Sequence, residues 1–122
     1  MNLKMKSKFL PNANNAIVDH EKITQYLLSE SHPDGRAKAA FFMKFGFTVE
    51  KWNVFAESLR KHGMTYPVSR IVKSEYGVRY CVDGPIEMPD ASHPHIRTVW
   101  IVEEGSTGPR LITAYPIEER KS

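Results

Sequence analysis

The sequence contains a single cysteine, Cys81, among its 122 residues, which excludes an internal disulfide and a cysteine-rich zinc site. Its apolar runs are all far shorter than the roughly 20 residues that a membrane-spanning helix needs, so we expect no membrane partner. The lysine-containing N-terminus lacks the long apolar segment of a signal peptide. These absences favour a cytoplasmic protein. Cys81 falls in a predicted strand, where we expect a buried structural thiol.

The signatures of several common enzyme classes are also missing. There is no Walker-type loop, no glycine-rich dinucleotide fingerprint, no nucleophile elbow and no pair of histidines on a helix. His93 and His95 resemble a metal pair, but no further close cluster of His, Cys, Asp or Glu completes a ligand set. We therefore expect no cofactor and no metal ion. The net charge of +3 permits a nucleic-acid partner without requiring one.

The part of the chain after residue 18 has the pattern of one domain in which helices are followed by strands. Residues 1–18 are rich in turn formers and are predicted to be irregular. Apolar residues at helical spacing predict three helices, over about 20–30, 33–45 and 49–62. Asp19 and Thr48 are expected to cap the first and third helices. Pro33 is expected to lie in the first turn of the second helix. Gly46 and Gly63 are expected to end the second and third helices.

Beyond Pro67 the periodicity becomes that of strands, predicted over about 68–74, 78–83, 95–103 and 110–116. Helices followed by strands indicate an α+β fold, with about three helices packed on an antiparallel sheet of about four strands. If Val102 lies opposite Leu111 in the last hairpin, Thr98 lies opposite Tyr115. Trp100 would then share a face with these two residues, and Arg97 would lie on the other face.

The last hairpin also carries the first candidate site. Arg97, Thr98, Thr113 and Tyr115 place cationic and hydroxyl groups on a rigid sheet, which suits the binding of a phosphate. Each residue has a structural alternative as well, since threonine favours strands and a tyrosine can be half-buried at a sheet edge. Arg97 is the residue that packing explains least.

The second candidate site lies where the second helix begins. His32 directly precedes this helix, whose N-terminus offers free N–H groups and a positive dipole to an anion. Arg36 and Lys38 lie one turn further along, so His32 and two cations can converge on one phosphate. The alternative is an ordinary helix cap with exposed cations.

Several short segments of the sequence, in their order along the chain, resemble a small bacterial domain of uncharacterised function. That domain occurs alone and as a C-terminal toxin-like module. The segments are Leu10-Pro-Asn-Ala13, Tyr26-Leu-Leu28, His32-Pro33, Lys38-Ala39, Gly46-Phe47, Arg97-Thr-Val-Trp100 and Pro109-Arg-Leu-Ile-Thr-Ala-Tyr115. The layout of helices before a four-stranded antiparallel sheet is similar to the barnase–EndoU–colicin–RelE superfamily of ribonuclease toxins.

The resemblance implies a metal-independent endoribonuclease in which the ribose 2′-OH attacks the adjacent phosphate. Such chemistry needs a base, an acid and groups that stabilise charge on phosphorus. It implies His32 as acid or base, and Arg97 and Lys38 as the cations. Thr98, Thr113 and Tyr115 would orient the phosphate, with Tyr115 alternatively stacking on a base. Which group is the acid and which the base stays open.

The implied partners are RNA and a small acidic antitoxin or immunity protein that covers the basic site. The alternative function is a non-catalytic interaction domain, that is, an antitoxin, immunity or adaptor protein that presents the sheet edge or the helical face. An enzyme of another class is the third possibility.

Overall fold

A computed structural model describes residues 8–118, and the ends of the chain, 1–7 and 119–122, lie outside this range. A short 3₁₀ turn, Ala13–Asn15, precedes three helices. Helix α1 starts as an α-helical turn, His20–Lys22, and continues as a π-helical segment, Ile23–Leu27. Helices α2 and α3 span Arg36–Lys44 and Trp52–Thr65. Four strands follow: β1 (Val68–Ser74), β2 (Gly77–Pro85), β3 (His95–Val102) and β4 (Arg110–Pro116).

The four strands form one antiparallel sheet in the order β1-β2-β3-β4. The expected α+β fold is thereby confirmed. The helices cover one face of the sheet, where Trp100 of β3, Phe42 of α2 and Phe55 of α3 are completely buried in a shared apolar core. Trp100 is thus a core residue.

The helix boundaries differ from the predicted ones in ways that specific contacts explain. Asp19 stands at the N-cap of α1, but its carboxylate binds Arg110 at 2.8 Å and makes no capping hydrogen bond. Helix α3 begins at Trp52 because the Thr48 hydroxyl accepts the N–H of Lys51 in a separate turn before it. Helix α2 ends close to the predicted position, and Gly46 follows it at φ 111°, as expected.

Gly63 does not end helix α3, which continues to Thr65. The reason for a glycine here is tertiary: a Cβ atom at this position would lie 2.6 Å from Cζ2 of Trp100. The missing side chain therefore lets the indole pack directly on the helix backbone, and the packing outweighs the low helix propensity of glycine.

The segment before α1 is part of the same core. Leu10, Ala16 and Val18 are buried among the core side chains. The backbone of Ile17 pairs with β4, donating to the carbonyl of Pro109 at 2.8 Å and accepting from Leu111 at 2.9 Å. Irregular secondary structure in this segment is compatible with tight packing.

The predicted register of the last hairpin is wrong by one position from Arg97 to Val99 and by two positions at Trp100 and Ile101. Arg97 pairs with Tyr115, Thr98 with Ala114 and Val99 with Thr113. The ladder then shifts, because Trp100 pairs with Leu111 and Ile112 is left as an extra residue. Turn chemistry does not reveal this β-bulge, which moves Tyr115 to the other face. Thr98 and Trp100 share the face under the helices, as predicted, but Tyr115 shares the open face with Arg97.

Candidate functional site

Four polar side chains surround the ring of Tyr26 at the edge of β4. The Tyr26 hydroxyl lies 3.3 Å from the Thr113 hydroxyl, and the His32 ring packs edge-on at 5.0 Å between centroids. The ammonium groups of Lys22 and Lys38 each lie 5.3 Å from the centroid of the Tyr26 ring. We call Tyr26, Thr113, His32, Lys22 and Lys38 the Tyr26 cluster.

Two local irregularities lie at the contact between Tyr26 and Thr113. Tyr26 lies in the π-helical segment of α1, and Thr113 directly follows the bulged residue Ile112 in β4. Both π-helical segments and β-bulges are frequent at functional sites, where they redirect a side chain out of the regular pattern. The backbone around the Tyr26 cluster is therefore irregular in a way that is frequent at functional sites.

The surroundings of Tyr26 favour its ionised form. Partial burial raises the pKa of the phenol, but hydrogen bonds to Thr113 and Lys38 and the charges of Lys38 and Lys22 act in the opposite direction and prevail. The pKa of Tyr26 is consequently lower than that of an ordinary tyrosine. A tyrosine of this kind, on the wall of an open surface pocket that also contains His32, is a candidate for proton transfer.

His32 orders the turn that precedes helix α2. Its Nδ1 accepts the backbone N–H groups of Asp34 at 3.0 Å and Gly35 at 3.2 Å. The ring proton therefore resides on Nε2, where it can serve as a hydrogen-bond donor. Asp34 and Gly35 precede Arg36, the first residue of α2, so these two contacts fix the entry to the helix.

Lys38 projects from the first turns of α2 toward Tyr26. Its ammonium group donates a hydrogen bond to the carbonyl oxygen of Asp34 at 3.2 Å, which holds the side chain along the helix. An ammonium group retains further donors after one such bond. Lys38 can therefore contact Tyr26 and a bound anion at the same time.

Arg97 lies on the open face of the sheet and is paired with an acid that the sequence analysis overlooked. Asp83 accepts hydrogen bonds from Nε at 2.7 Å and from Nη2 at 2.9 Å, and the Tyr115 hydroxyl lies 3.5 Å from Nη1. Hydrogen bonds from Arg97 hold the pKa of the Asp83 carboxyl below its ordinary value. The ion pair neutralises most of the charge of Arg97 and occupies two of its five N–H donors.

Thr98 lies in the core, away from both groups of side chains. Its hydroxyl is 2.8 Å from Nε1 of Trp100 and 3.0 Å from Nδ1 of His62, while Nε2 of His62 is 3.0 Å from the carbonyl oxygen of Gly84. All polar atoms are satisfied when the indole donates to Thr98, Thr98 donates to His62, and His62 donates to Gly84. Thr98 is fully buried, so it cannot contact a phosphate at the surface.

Burial also determines the protonation of His62. It lowers the pKa of this imidazole to about 4, so the ring is neutral near neutral pH. His62, near the end of α3, therefore serves as a buried hydrogen-bonding link between this helix and the sheet.

The structure thus brings together three of the predicted site residues, His32, Lys38 and Thr113, around Tyr26, which was not among them. Arg97 and Tyr115 form a separate pair on the sheet, two residues along β4 from Thr113. The only sequence signal for Tyr26 was its presence in the segment Tyr26-Leu-Leu28. Nothing in the sequence singled out Lys22 or Asp83.

Within residues 8–118, no group of three or more His, Cys, Asp or Glu side chains is arranged to hold a metal ion. No helix in that same range is long and apolar enough to cross a bilayer.

The chain belongs to a family described as a domain of unknown function, DUF6883, whose profile matches residues 9–118. No curated protein sequence matches the chain. Among solved structures, the fold is similar to that of a chain in a contact-dependent growth inhibition toxin–immunity protein complex from Klebsiella pneumoniae 342. That similarity has a TM-score of 0.66 at 16% identity and covers 83% of this chain and 99% of the other. At this identity the likeness concerns the fold.

Proposed function

We propose that this protein is a metal-independent endoribonuclease of the toxin type, and that Tyr26 is its principal proton-transfer residue. The observation that carries the proposal is the Tyr26 cluster: a phenol whose pKa is lowered by two ammonium groups and a hydroxyl, with a histidine N–H donor beside it. The fold similarity to a chain of a toxin–immunity complex agrees with a toxin system, although it does not distinguish the toxin from the immunity protein.

The proposed reaction uses the cluster residues in distinct roles. The Tyr26 phenolate removes the proton from the ribose 2′-OH, whose oxygen then attacks phosphorus. The bond from phosphorus to the 5′-oxygen breaks, and the Lys38 ammonium is the proposed proton donor to the leaving oxygen. Lys22 and the Nε2–H of His32 stabilise the negative charge that develops on the phosphate oxygens.

The remaining sequence-predicted residues take supporting roles in this proposal. Thr113 holds the Tyr26 hydroxyl, and Tyr115 lies two residues further along β4, where it can stack on a neighbouring base. Arg97 orients Tyr115, and Asp83 holds the Arg97 side chain in place. Thr98 has no contact with substrate and supports the sheet from the core.

The direct test is incubation of the purified protein with total RNA in excess chelator, followed by analysis of the new RNA ends. We expect 2′,3′-cyclic phosphate ends. The variant His32→Asn retains a side-chain acceptor for the N–H groups of Asp34 and Gly35, but its shorter side chain places no N–H donor at the position of Nε2, so cleavage should slow by about 10- to 100-fold. His93→Asn, an exposed histidine outside the cluster, is the matched control and should cleave normally. Intact RNA at all pH values would contradict the proposal.

The second candidate is a non-catalytic interaction domain, because the similar structure is a complex that also contains an immunity protein. The two functions differ when the protein is expressed. A ribonuclease toxin should arrest growth in the absence of its partner, and Tyr26→Phe should restore growth. An interaction domain should accumulate freely in both forms.

A further inference from the structure

The face of the sheet opposite the helices carries an ordered arrangement of side chains that the proposed ribonuclease chemistry does not use. Residues that pair across neighbouring strands share a face. One row of pairs runs Arg70, Cys81, Val99, Thr113, and the next runs Val72, Arg79, Ile101. These rows lie beside the pair formed by Arg97 and Asp83.

This face also carries aliphatic side chains. Val99 and Ile101 lie on β3 beside Cys81 of β2, whereas Val72, which is 39% exposed, lies on β1 and is separated from Ile101 by Arg79 of β2. Burial raises the pKa of the Cys81 thiol, so near neutral pH this side chain is uncharged and adds to the apolar surface. We call Val72, Cys81, Val99 and Ile101, together with Arg70 of β1 and Arg79 of β2 that lie among them, the open-face patch.

The charges of the patch are positive and uncompensated. Arg70 and Arg79 are exposed, and neither takes part in a salt bridge within residues 8–118. By contrast, Arg97 is bound by Asp83 and Arg110 by Asp19. The two unpaired guanidinium groups therefore offer bidentate hydrogen bonds to carboxylates of another molecule.

The chemistry of the patch favours a protein over a nucleic acid as its occupant. Single-stranded RNA is held by aromatic side chains that stack on its bases, and the patch itself contains none. Aliphatic side chains interspersed with arginines are typical of protein interfaces, where apolar side chains are buried and arginine is enriched.

We propose that the open-face patch is the docking surface for an acidic protein, whose carboxylates pair with Arg70 and Arg79 around an apolar contact on Val72, Val99 and Ile101. Thr113 ends the same row as Val99, so such a partner would lie alongside the Tyr26 cluster. The inference rests on the sheet and its charges and is independent of whether the protein cleaves RNA.

The test uses two polymeric probes with the full chain: a random copolymer of glutamate and tyrosine, which supplies carboxylates and apolar surface, and poly(U) RNA. Binding is followed by fluorescence anisotropy and by NMR shifts of backbone amides. We expect the copolymer to shift amides of β1, β2 and β3. Its affinity should fall about tenfold or more in Arg70→Glu and Arg79→Glu, because attraction to carboxylates becomes repulsion.

Lys51→Glu makes the same charge change at the start of α3 and should leave the affinity within about twofold. Val72→Asp tests the apolar contact and should also lower the affinity for the copolymer. Val72 lies on the edge strand β1, so the fold should tolerate the change.

Absence of copolymer binding, or equal binding by all variants, would overturn the inference. It would also be overturned if only poly(U) bound the patch and lost affinity in Arg70→Glu, since the surface would then serve RNA. Failure of the ribonuclease proposal would give a different result. Arg70 and Arg79 lie outside the Tyr26 cluster, so we expect Arg70→Glu to cleave RNA at the wild-type rate whether or not it binds the copolymer.

Discussion

The hydroxyl groups of Tyr26 and Thr113 meet at 3.3 Å, joining the π-helical segment of α1 to the bulged part of β4. The two residues are far apart in sequence, and each lies at or beside a departure from regular geometry. Around this contact the protein gathers two ammonium groups and a histidine ring beside an ionisable phenol, and we propose that they bind the phosphate of RNA.

The first prediction concerns the pH dependence of RNA cleavage. A base acts only when deprotonated, so the rate should rise with pH as Tyr26 ionises. Lys38 lowers the pKa of Tyr26 through a hydrogen bond and its charge, so Lys38→Ala should move this rise to higher pH. The measurement is the pH–rate profile together with the absorbance of tyrosinate, corrected with Tyr26→Phe. Lys51→Ala is the control, and an unchanged or lowered midpoint in Lys38→Ala would count against the assignment.

A second prediction concerns stability in acid. The pKa of His62 is about 4 in the folded protein, against an ordinary value of 6.5. The unfolded chain therefore binds more protons between these values, and the stabilising contribution is present above pH 6.5 and lost as the pH falls to 4. At roughly 1.4 kcal/mol per pH unit, the loss from this group is about 3 kcal/mol.

Urea unfolding at a series of pH values measures this loss. In His62→Gln the fall in unfolding free energy between pH 6.5 and 4 should be smaller, whatever the stability of the variant at neutral pH. His93→Gln should retain the wild-type slope. Equal slopes in wild type and His62→Gln would show that this histidine is not responsible.

The third prediction addresses Arg97 and Asp83. Side chains of both are about a quarter exposed, and their two hydrogen bonds should contribute about 1–2 kcal/mol to stability. Arg97→Ala should therefore lower the unfolding free energy by that amount and disturb Tyr115. In a double-mutant cycle with Asp83→Ala, the second substitution should cost much less than the first. Additive losses would mean that the two side chains do not stabilise each other.

A fourth prediction tests the packing of Trp100 on α3. Gly63→Ala should destabilise the protein by about 1–3 kcal/mol, because the new methyl group overlaps a buried and rigid indole. Asn53→Ala, at an exposed position of the same helix, should be neutral or slightly stabilising. A stabilised Gly63→Ala would show that helix propensity dominates at this position.

The fold could be predicted from the sequence because its signals are local. Apolar spacing indicated three helices, the change of periodicity after Pro67 indicated the strands, and Gly46 closes α2 as expected. The boundaries of α3 were missed because they depend on contacts that spacing does not reveal: Thr48 caps a separate turn, and Gly63 is needed by Trp100.

The candidate site was predicted only in part, and the missing parts depend on long-range geometry. His32, Lys38 and Thr113 were expected on chemical grounds, but the tyrosine between them fitted an apolar helical stripe equally well. The extra residue Ile112 slips the β3–β4 register by one, which moves Tyr115 to the face of Arg97, while Thr98 stays on the face of Trp100 and is buried with it in the core. Asp83 could be recognised as the partner of Arg97 only once the pairing of β2 with β3 was known.

The most direct test of the account is the single-turnover rate at which Tyr26→Phe cleaves a short RNA in excess chelator, compared with Tyr76→Phe. Tyr76 is 71% exposed in the β1–β2 turn, so its variant controls for loss of a tyrosine hydroxyl as such. If Tyr26 transfers the proton, Tyr26→Phe should be slower than wild type by about 100-fold or more, with Tyr76→Phe unaffected. Equal cleavage rates for the two variants, or no cleavage by the wild-type protein, would contradict it.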